Sequence, residues 1–113
     1  MTNRSLNCIL NNTEIFFRVY NLKVQIGEEW NRLVPWYLMT SFLYYEKDES
    51  IVSDGDYDWM CKELSERWDE ITHWHKEFID RDGLSAGSGY AITKYPTRVK
   101  GAAIAVLGNK PND

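Results

Sequence analysis

The sequence lacks any excess of positive charge. Its 13 lysines and arginines are outnumbered by 17 aspartates and glutamates, which leaves a net charge of −4. Proteins that bind nucleic acid usually attract it with a basic surface, so this balance argues against that class. We therefore expect no direct binding of DNA or RNA.

Cysteine is scarce as well, since only Cys8 and Cys61 are present. Two cysteines fit a reduced intracellular protein better than a disulfide scaffold. No apolar stretch has the length needed to span a bilayer, and residues 1–8 lack the apolar segment and cleavage site of a signal peptide. The chain is therefore expected to be cytoplasmic and to have no membrane contact.

The sequence does contain what a small core needs. Its 113 residues are 43% hydrophobic and 27% charged, which is typical of one soluble domain. Aromatic residues make up 14%, and five of them are tryptophans. Such rings build cores and also form binding surfaces, and the composition favours the core.

Residues 1–35 are predicted to form an extended N-terminal segment. Apolar side chains recur at even positions between residues 16 and 26, interrupted by Arg18, and this period of two is typical of a half-buried strand. The asparagine pair at 11–12 is a plausible turn between this strand and a short one around Leu6–Leu10. The predicted fold class is mainly α, with a short β-hairpin preceding a small helical domain, α+β overall.

Residues 36–80 are predicted to form a helix-turn-helix pair. The first helix runs from Trp36 to Tyr45 and is nearly devoid of polar residues, so it should be buried. The second begins at Ser53, whose hydroxyl can cap it, and apolar residues at spacings of three and four continue it to about Ile79. A connection of about seven residues would fold the helices back against each other.

Residues 81–113 are predicted to be a loop followed by a short C-terminal element. The apolar run 102–107 fits either a final helix or a buried strand. The glycine-rich stretch 83–89 could cradle a phosphate with the help of Lys94, Arg98 and Lys100. It lacks the Gly-Lys-Ser/Thr ending that makes such loops specific, so a plain loop is favoured.

Aromatic and acidic residues cluster where the two predicted helices meet. The first helix ends in Tyr44-Tyr45, and the first turn of the second contains Asp54, Asp56, Tyr57 and Asp58. Tyrosine rings beside carboxylates suit a flat cationic ring, which stacks on the tyrosines while the acids accept from ribose hydroxyls. In the structural alternative the aspartates cap the helix and the tyrosine of that turn belongs to the core.

This segment resembles the N-terminal domain Ia of bacterial NAD-dependent DNA ligases. The tyrosine pair is followed by Ile51 and by Ser-Asp-x-x-Tyr-Asp at residues 53–58, at the family's spacing and without a gap. The resemblance covers roughly residues 36–68. In the family this helical module recognises the nicotinamide mononucleotide half of NAD, so NAD or nicotinamide mononucleotide is the implied ligand. The implied contacts are Tyr44, Tyr45, Asp54, Tyr57 and Asp58.

The remainder of the ligase has no counterpart in this sequence. The family's nucleophile lies in a Lys-x-Asp-Gly motif, which is absent here, as are its zinc-binding cysteines, helix-hairpin-helix repeats and BRCT domain. We therefore expect a stand-alone module without ligation activity that works beside a separate ligase. The chain is also similar to small ligase-like proteins of tailed bacteriophages, which implies a phage-encoded protein in the host bacterial cytoplasm.

Two other functions stay open. A phage-encoded interaction factor could use the same face, together with Trp59 and Trp74, to bind a host or phage enzyme. An enzyme acting on NAD could use the aspartates as acid and base, although carboxylates at a helix start should stay ionised. His73 and His75 predict no metal site, because side chains two apart on a helix point in different directions.

Overall fold

The computed structural model describes residues 19–90 and 92–109, and this part of the chain is mainly helical. Its α-helices are α1 (Leu22–Ile26), α2 (Leu33–Lys47), α3 (Asp54–Glu66), α4 (Arg81–Ser85) and α5 (Thr97–Gly108). Short 3₁₀ helices lie between them at Trp30–Arg32, Trp68–Glu70 and Trp74–Phe78. The mainly helical part of the predicted fold class is confirmed, and no strand occurs in these residues.

α2 is the central helix of the core. Every residue from 37 to 43 is buried, as the sequence predicts for a helix with so few polar side chains. The helix ends where Asp48 adopts a left-handed conformation with a φ of 57°, and the amide of Glu49 donates to the carbonyl of Leu43 at 2.9 Å. The last turn, which contains Tyr44 and Tyr45, lies beyond the core and is exposed.

α3 begins as predicted and packs against α2. The Ser53 hydroxyl accepts a hydrogen bond from the amide of Asp56 at 3.1 Å, so it caps the helix. Residues 48–53 connect the two helices, and the predicted helical pair is present. The predicted length of the second helix is wrong, because α3 ends at Glu66 and not near Ile79.

Polar contacts from outside the helix explain why α3 stops. The Asn31 side chain accepts from the amide of Thr72 at 2.9 Å and donates to its hydroxyl at 3.1 Å. The Lys76 ammonium donates to the carbonyls of Trp68 and Ile71 at 2.6 and 3.0 Å. These bonds satisfy three backbone groups that a continued helix would pair internally, so leaving the helix does not leave them without partners.

The described part of the predicted N-terminal strand is the helix α1 instead. Leu22 and Ile26 are buried while Val24 between them is 70% exposed, which a strand with alternating faces would not give. The Asp56 carboxylate accepts from the amide of Leu22 at 3.2 Å and so supports the start of α1. The rest of the predicted hairpin lies outside the described residues.

The C-terminal part is more helical than predicted. The predicted loop over 81–89 begins with the short helix α4, and the apolar run at 102–107 belongs to α5, which confirms the helix alternative. α5 packs along α2 and buries Val99 and Ala103. Just before it, the rings of Tyr95 and Phe42 meet edge to face at 5.3 Å. The C-terminal helix therefore completes the same core that α2 and α3 begin.

Most of the tryptophans pack against this core, as the composition favours. Trp30, Trp36, Trp59 and Trp68 are partly buried against it, whereas Trp74 is 65% exposed. None of the helices in the described residues combines the length and the apolarity needed to cross a bilayer.

Candidate functional site

A recess lies between the end of α2 and the start of α3, where the sequence predicts the site. It is a cavity of about 330 Å³. All five residues implied by the ligase resemblance line it: Tyr44, Tyr45, Asp54, Tyr57 and Asp58. Thr40, Ser50, Ile51, Val52 and Gly87 complete the lining. The structure therefore brings the predicted site residues together around one space.

The two tyrosines at the end of α2 present their rings to solvent beside this cavity. Tyr44 is 54% exposed and Tyr45 is 37% exposed, and their rings meet edge to face with centroids 4.9 Å apart. The hydroxyl of Tyr45 lies 3.1 Å from that of Ser88, and its ring packs against Tyr90 at 5.9 Å. These contacts fix Tyr45 and leave Tyr44 freer to cover a flat ligand.

Tyr57 forms a fixed wall of the cavity. Its hydroxyl lies 2.7 Å from that of Ser41, and its ring stacks on Tyr37 with centroids 5.9 Å apart. Burial, more than any neighbouring charge, raises the pKa of Tyr57 above its usual range. The phenol therefore stays neutral, and either it or the Ser41 hydroxyl is the donor in this pair.

The aspartates of the first turn of α3 divide into two roles. Asp54 and Asp58 are exposed and line the cavity, so their oxygens are available as acceptors. Asp56 is turned away from the cavity, with its carboxylate on the amide of Leu22. The structural alternative predicts that Asp54 and Asp56 cap their own helix, but the Ser53 hydroxyl caps α3 and the Asp56 carboxylate supports the start of α1.

Sequence reasoning missed the contribution of the glycine-rich loop. Gly87 lines the cavity, and its φ of 67° favours glycine. Gly89 lies so close to α2 and α3 that an added Cβ would come within 2.8 Å of the Tyr57 hydroxyl. The glycines at 87 and 89 are visible in the sequence, but nothing local indicates which helices the loop covers.

The same loop does not use the amides of Gly87 and Ser88 as a phosphate cradle. The amide of Gly87 donates to the carbonyl of Leu84, and that of Ser88 donates to Gly83, both at 2.9 Å. Arg98, one of the basic residues considered for such a site, lies against the ring of Trp74 at 5.7 Å. This geometry agrees with the plain-loop interpretation.

His73, His75 and Cys61 do not line the cavity. His73 and His75 have ring centroids 5.4 Å apart, because they belong to the start of a 3₁₀ helix and not to a continuous α-helix. Cys61 is buried, and burial raises the pKa of its thiol to about 12. In the described ranges no three His, Cys, Asp or Glu side chains are grouped to hold a metal ion.

Comparison with known proteins returns no family model, no curated protein and no solved structure that matches the chain. The function must therefore be inferred from the cavity and from the short resemblance that predicts its lining.

Proposed function

We propose that the chain is a binding module for the nicotinamide half of NAD, with nicotinamide mononucleotide or NAD as its ligand. The observation that supports this proposal is the shared cavity. The resemblance selects residues from two separate segments, Tyr44-Tyr45 and the first turn of α3, and all five line the same space. The helical pair alone would bring the two segments to the same end, and the cavity adds that all five residues line one space.

The chemistry of the lining suits this ligand. The exposed ring of Tyr44 offers a face to the positively charged nicotinamide ring, an interaction that gains strength from the ring quadrupole. The carboxylates of Asp54 and Asp58 accept hydrogen bonds from ribose hydroxyls and balance the positive charge. The cavity volume of about 330 Å³ falls within the range of roughly 300–1,000 Å³ seen for small-molecule sites.

In this proposal the module does not seal DNA. The sequence contains no Lys-x-Asp-Gly nucleophile, so enzyme adenylation has no lysine of the ligase type. The module would act beside a separate ligase or another NAD-using enzyme, encoded by a phage and working in the host cytoplasm.

Titration calorimetry with nicotinamide mononucleotide and with NAD tests the proposal. A Tyr44→Ala, Asp58→Ala double variant should weaken binding at least about fivefold, because a stacking aromatic alone contributes about 1–3 kcal/mol. The matched control is Trp74→Ala, Asp69→Ala, which removes an exposed aromatic ring and an exposed carboxylate that do not line the cavity. Absence of heat with both ligands, or equal binding by the two double variants, would overturn the proposal.

A second candidate function is protein binding through Trp74. Its exposed ring borders a mostly apolar groove of about 290 Å³, which also includes Pro35, Met39 and Val99. Exposed tryptophans are frequent anchors of protein interfaces. A host or phage enzyme captured by the wild-type chain and by Tyr44→Ala, but lost with Trp74→Ala, would support this function over ligand binding.

A further inference from the structure

The cavity between α2 and α3 is lined by negatively charged side chains. Its lining includes the carboxylates of Asp54 and Asp58, together with neutral hydroxyl groups. No lysine, arginine or histidine from the described ranges, 19–90 and 92–109, lines it. A nicotinamide nucleotide has two charged parts, a cationic ring and an anionic phosphate, and this wall complements only the first.

The N-terminus of α3 contributes a partial positive charge at this cavity, but the carboxylates of Asp54 and Asp58 outweigh it. A helix N-terminus is equivalent to roughly half a positive charge. Asp54 and Asp58 contribute a full negative charge each when ionised, so the local field stays negative. A phosphate monoester carries about −1.5 to −2 charges at neutral pH and would be repelled by this field.

The neighbouring lysines on the two helices do not reverse this balance. The ammonium of Lys47 lies over the ring of Phe42 at 5.9 Å. Lys62 borders an adjoining groove that shares Asp58 and Gly87 with the cavity, but it does not line the cavity itself. The amides of Gly87 and Ser88 are already donors within their loop.

We propose that the cavity selects the cationic nicotinamide riboside moiety and disfavours its 5′-phosphate. This inference rests on the proposed function, because it specifies which part of the nicotinamide nucleotide the same site recognises. The ring and ribose occupy the cavity between the tyrosines and the carboxylates, and a phosphate, where present, extends into solvent. The pyridinium nucleoside is therefore the tighter ligand, and the nucleotides bind the same cavity more weakly.

Titration calorimetry with three small probes tests the inference. Nicotinamide riboside should bind about fivefold more tightly than nicotinamide mononucleotide, as expected for a like-charge repulsion that solvent partly screens. Benzamide riboside, a neutral analogue of similar shape, should bind more weakly than nicotinamide riboside because it lacks the ring charge. The advantage of the nucleoside over the nucleotide should shrink as salt rises from about 0.05 to 0.5 M, because the repulsion is screened.

An Asp58→Asn variant changes the affinities of the two ligands by different amounts. Both lose the contact of the carboxylate with the ring and ribose, but only nicotinamide mononucleotide is relieved of repulsion, so nicotinamide riboside should weaken more and its advantage should shrink. Asp58 is exposed, so the fold should persist, and circular dichroism checks this. Asp54→Asn provides an independent test of the same charge effect.

The outcomes separate this inference from the proposed function. If nicotinamide mononucleotide binds as tightly as the riboside or more tightly, the module still recognises nicotinamide nucleotides but the inference is overturned. Binding of the neutral analogue equal to that of nicotinamide riboside would overturn it too. If none of the nicotinamide ligands binds, the proposed function fails and the inference fails with it.

Discussion

Tyr57 shows how one residue serves both the core and the candidate site. Its ring stacks on the buried Tyr37, and its hydroxyl is paired with Ser41, which satisfies the structural interpretation of the sequence. Its side chain also lines the cavity, as the binding interpretation requires. The sequence presents these two interpretations as alternatives, yet at a site built on packed helices a side chain can be held by the core and still face a ligand.

Gly89 gives a prediction at the scale of a single residue. A Cβ at this position would meet the Ser41 side chain and would lie 2.8 Å from the Tyr57 hydroxyl. Gly89→Ala should therefore destabilise the protein by about 1–3 kcal/mol, the usual cost of overpacking. Because Tyr57 would have to move, affinity for nicotinamide riboside should fall as well. Urea denaturation and calorimetry measure the two effects.

Gly101→Ala is the matched control for this prediction. Gly101 lies inside α5, and a Cβ added there would meet no atom within 4 Å apart from the helix itself. Alanine should stabilise that helix by about 0.5–1 kcal/mol and leave ligand affinity unchanged. Equal effects of the two substitutions on stability would contradict the close packing of Gly89.

At the scale of elements, spacing predicts which residues are buried better than it predicts their conformation. Ile71 and His75 belong to the predicted apolar face and are buried, but they lie beyond the end of α3. The bonds from Asn31 and Lys76 that replace helix hydrogen bonds come from distant positions or from long side chains, and no local pattern reveals them. At α1, buried residues four apart fit a strand and a helix equally well, so periodicity over five residues could not decide between them.

The 3₁₀ helix Trp74–Phe78 gives a prediction at this scale. The Nδ1 atom of His73 accepts from the amide of His75 at 3.0 Å, which caps this helix. Burial, and then the neighbouring His75, lowers the pKa of His73 below its ordinary value of 6.5. The unfolded chain then binds a proton more readily than the folded chain, so this contribution is complete above the unfolded pKa and is lost as pH falls through the folded pKa.

His73→Asn should remove this pH dependence while keeping a capping acceptor. The free energy of unfolding of the wild type should decrease as pH falls from roughly 7.5 to 5.5, the range around an ordinary histidine pKa, and should decrease less in the variant. Urea denaturation at several pH values measures both slopes, and His75 is present in both proteins. Identical slopes would show that protonation of His73 does not weaken the fold.

At the scale of the whole molecule, segments that look separate in the sequence form one folded unit. The division into 1–35, 36–80 and 81–113 follows changes in local pattern, but α5 packs along α2 and the Tyr20 hydroxyl donates to the carbonyl of Val106 at 2.8 Å. The grouping of the candidate site residues was predictable because they lie in two nearby segments joined by a short turn. The covering loop and α5 were not, because their contacts join residues that are far apart in sequence.

Ala103 tests whether this shared core supports the candidate site. It is fully buried where α5 meets the core, although it does not line the cavity. Ala103→Asp buries a carboxylate among apolar side chains and should cost more than about 3 kcal/mol. Ala105→Asp introduces the same side chain at an exposed position of the same helix. There the cost should be only about 1 kcal/mol, from the lower helix propensity of aspartate and its negative charge near the helix C-terminus.

The two variants together decide how far cooperativity extends. If the helices form one unit, Ala103→Asp should lower the urea midpoint and reduce binding of nicotinamide riboside by the fraction of chains unfolded, since only the folded state has the cavity. Ala105→Asp should bind as the wild type does. Full binding by Ala103→Asp with α5 unfolded would mean that the residues resembling the ligase module fold without it, and the partition drawn from the sequence would then describe a real boundary.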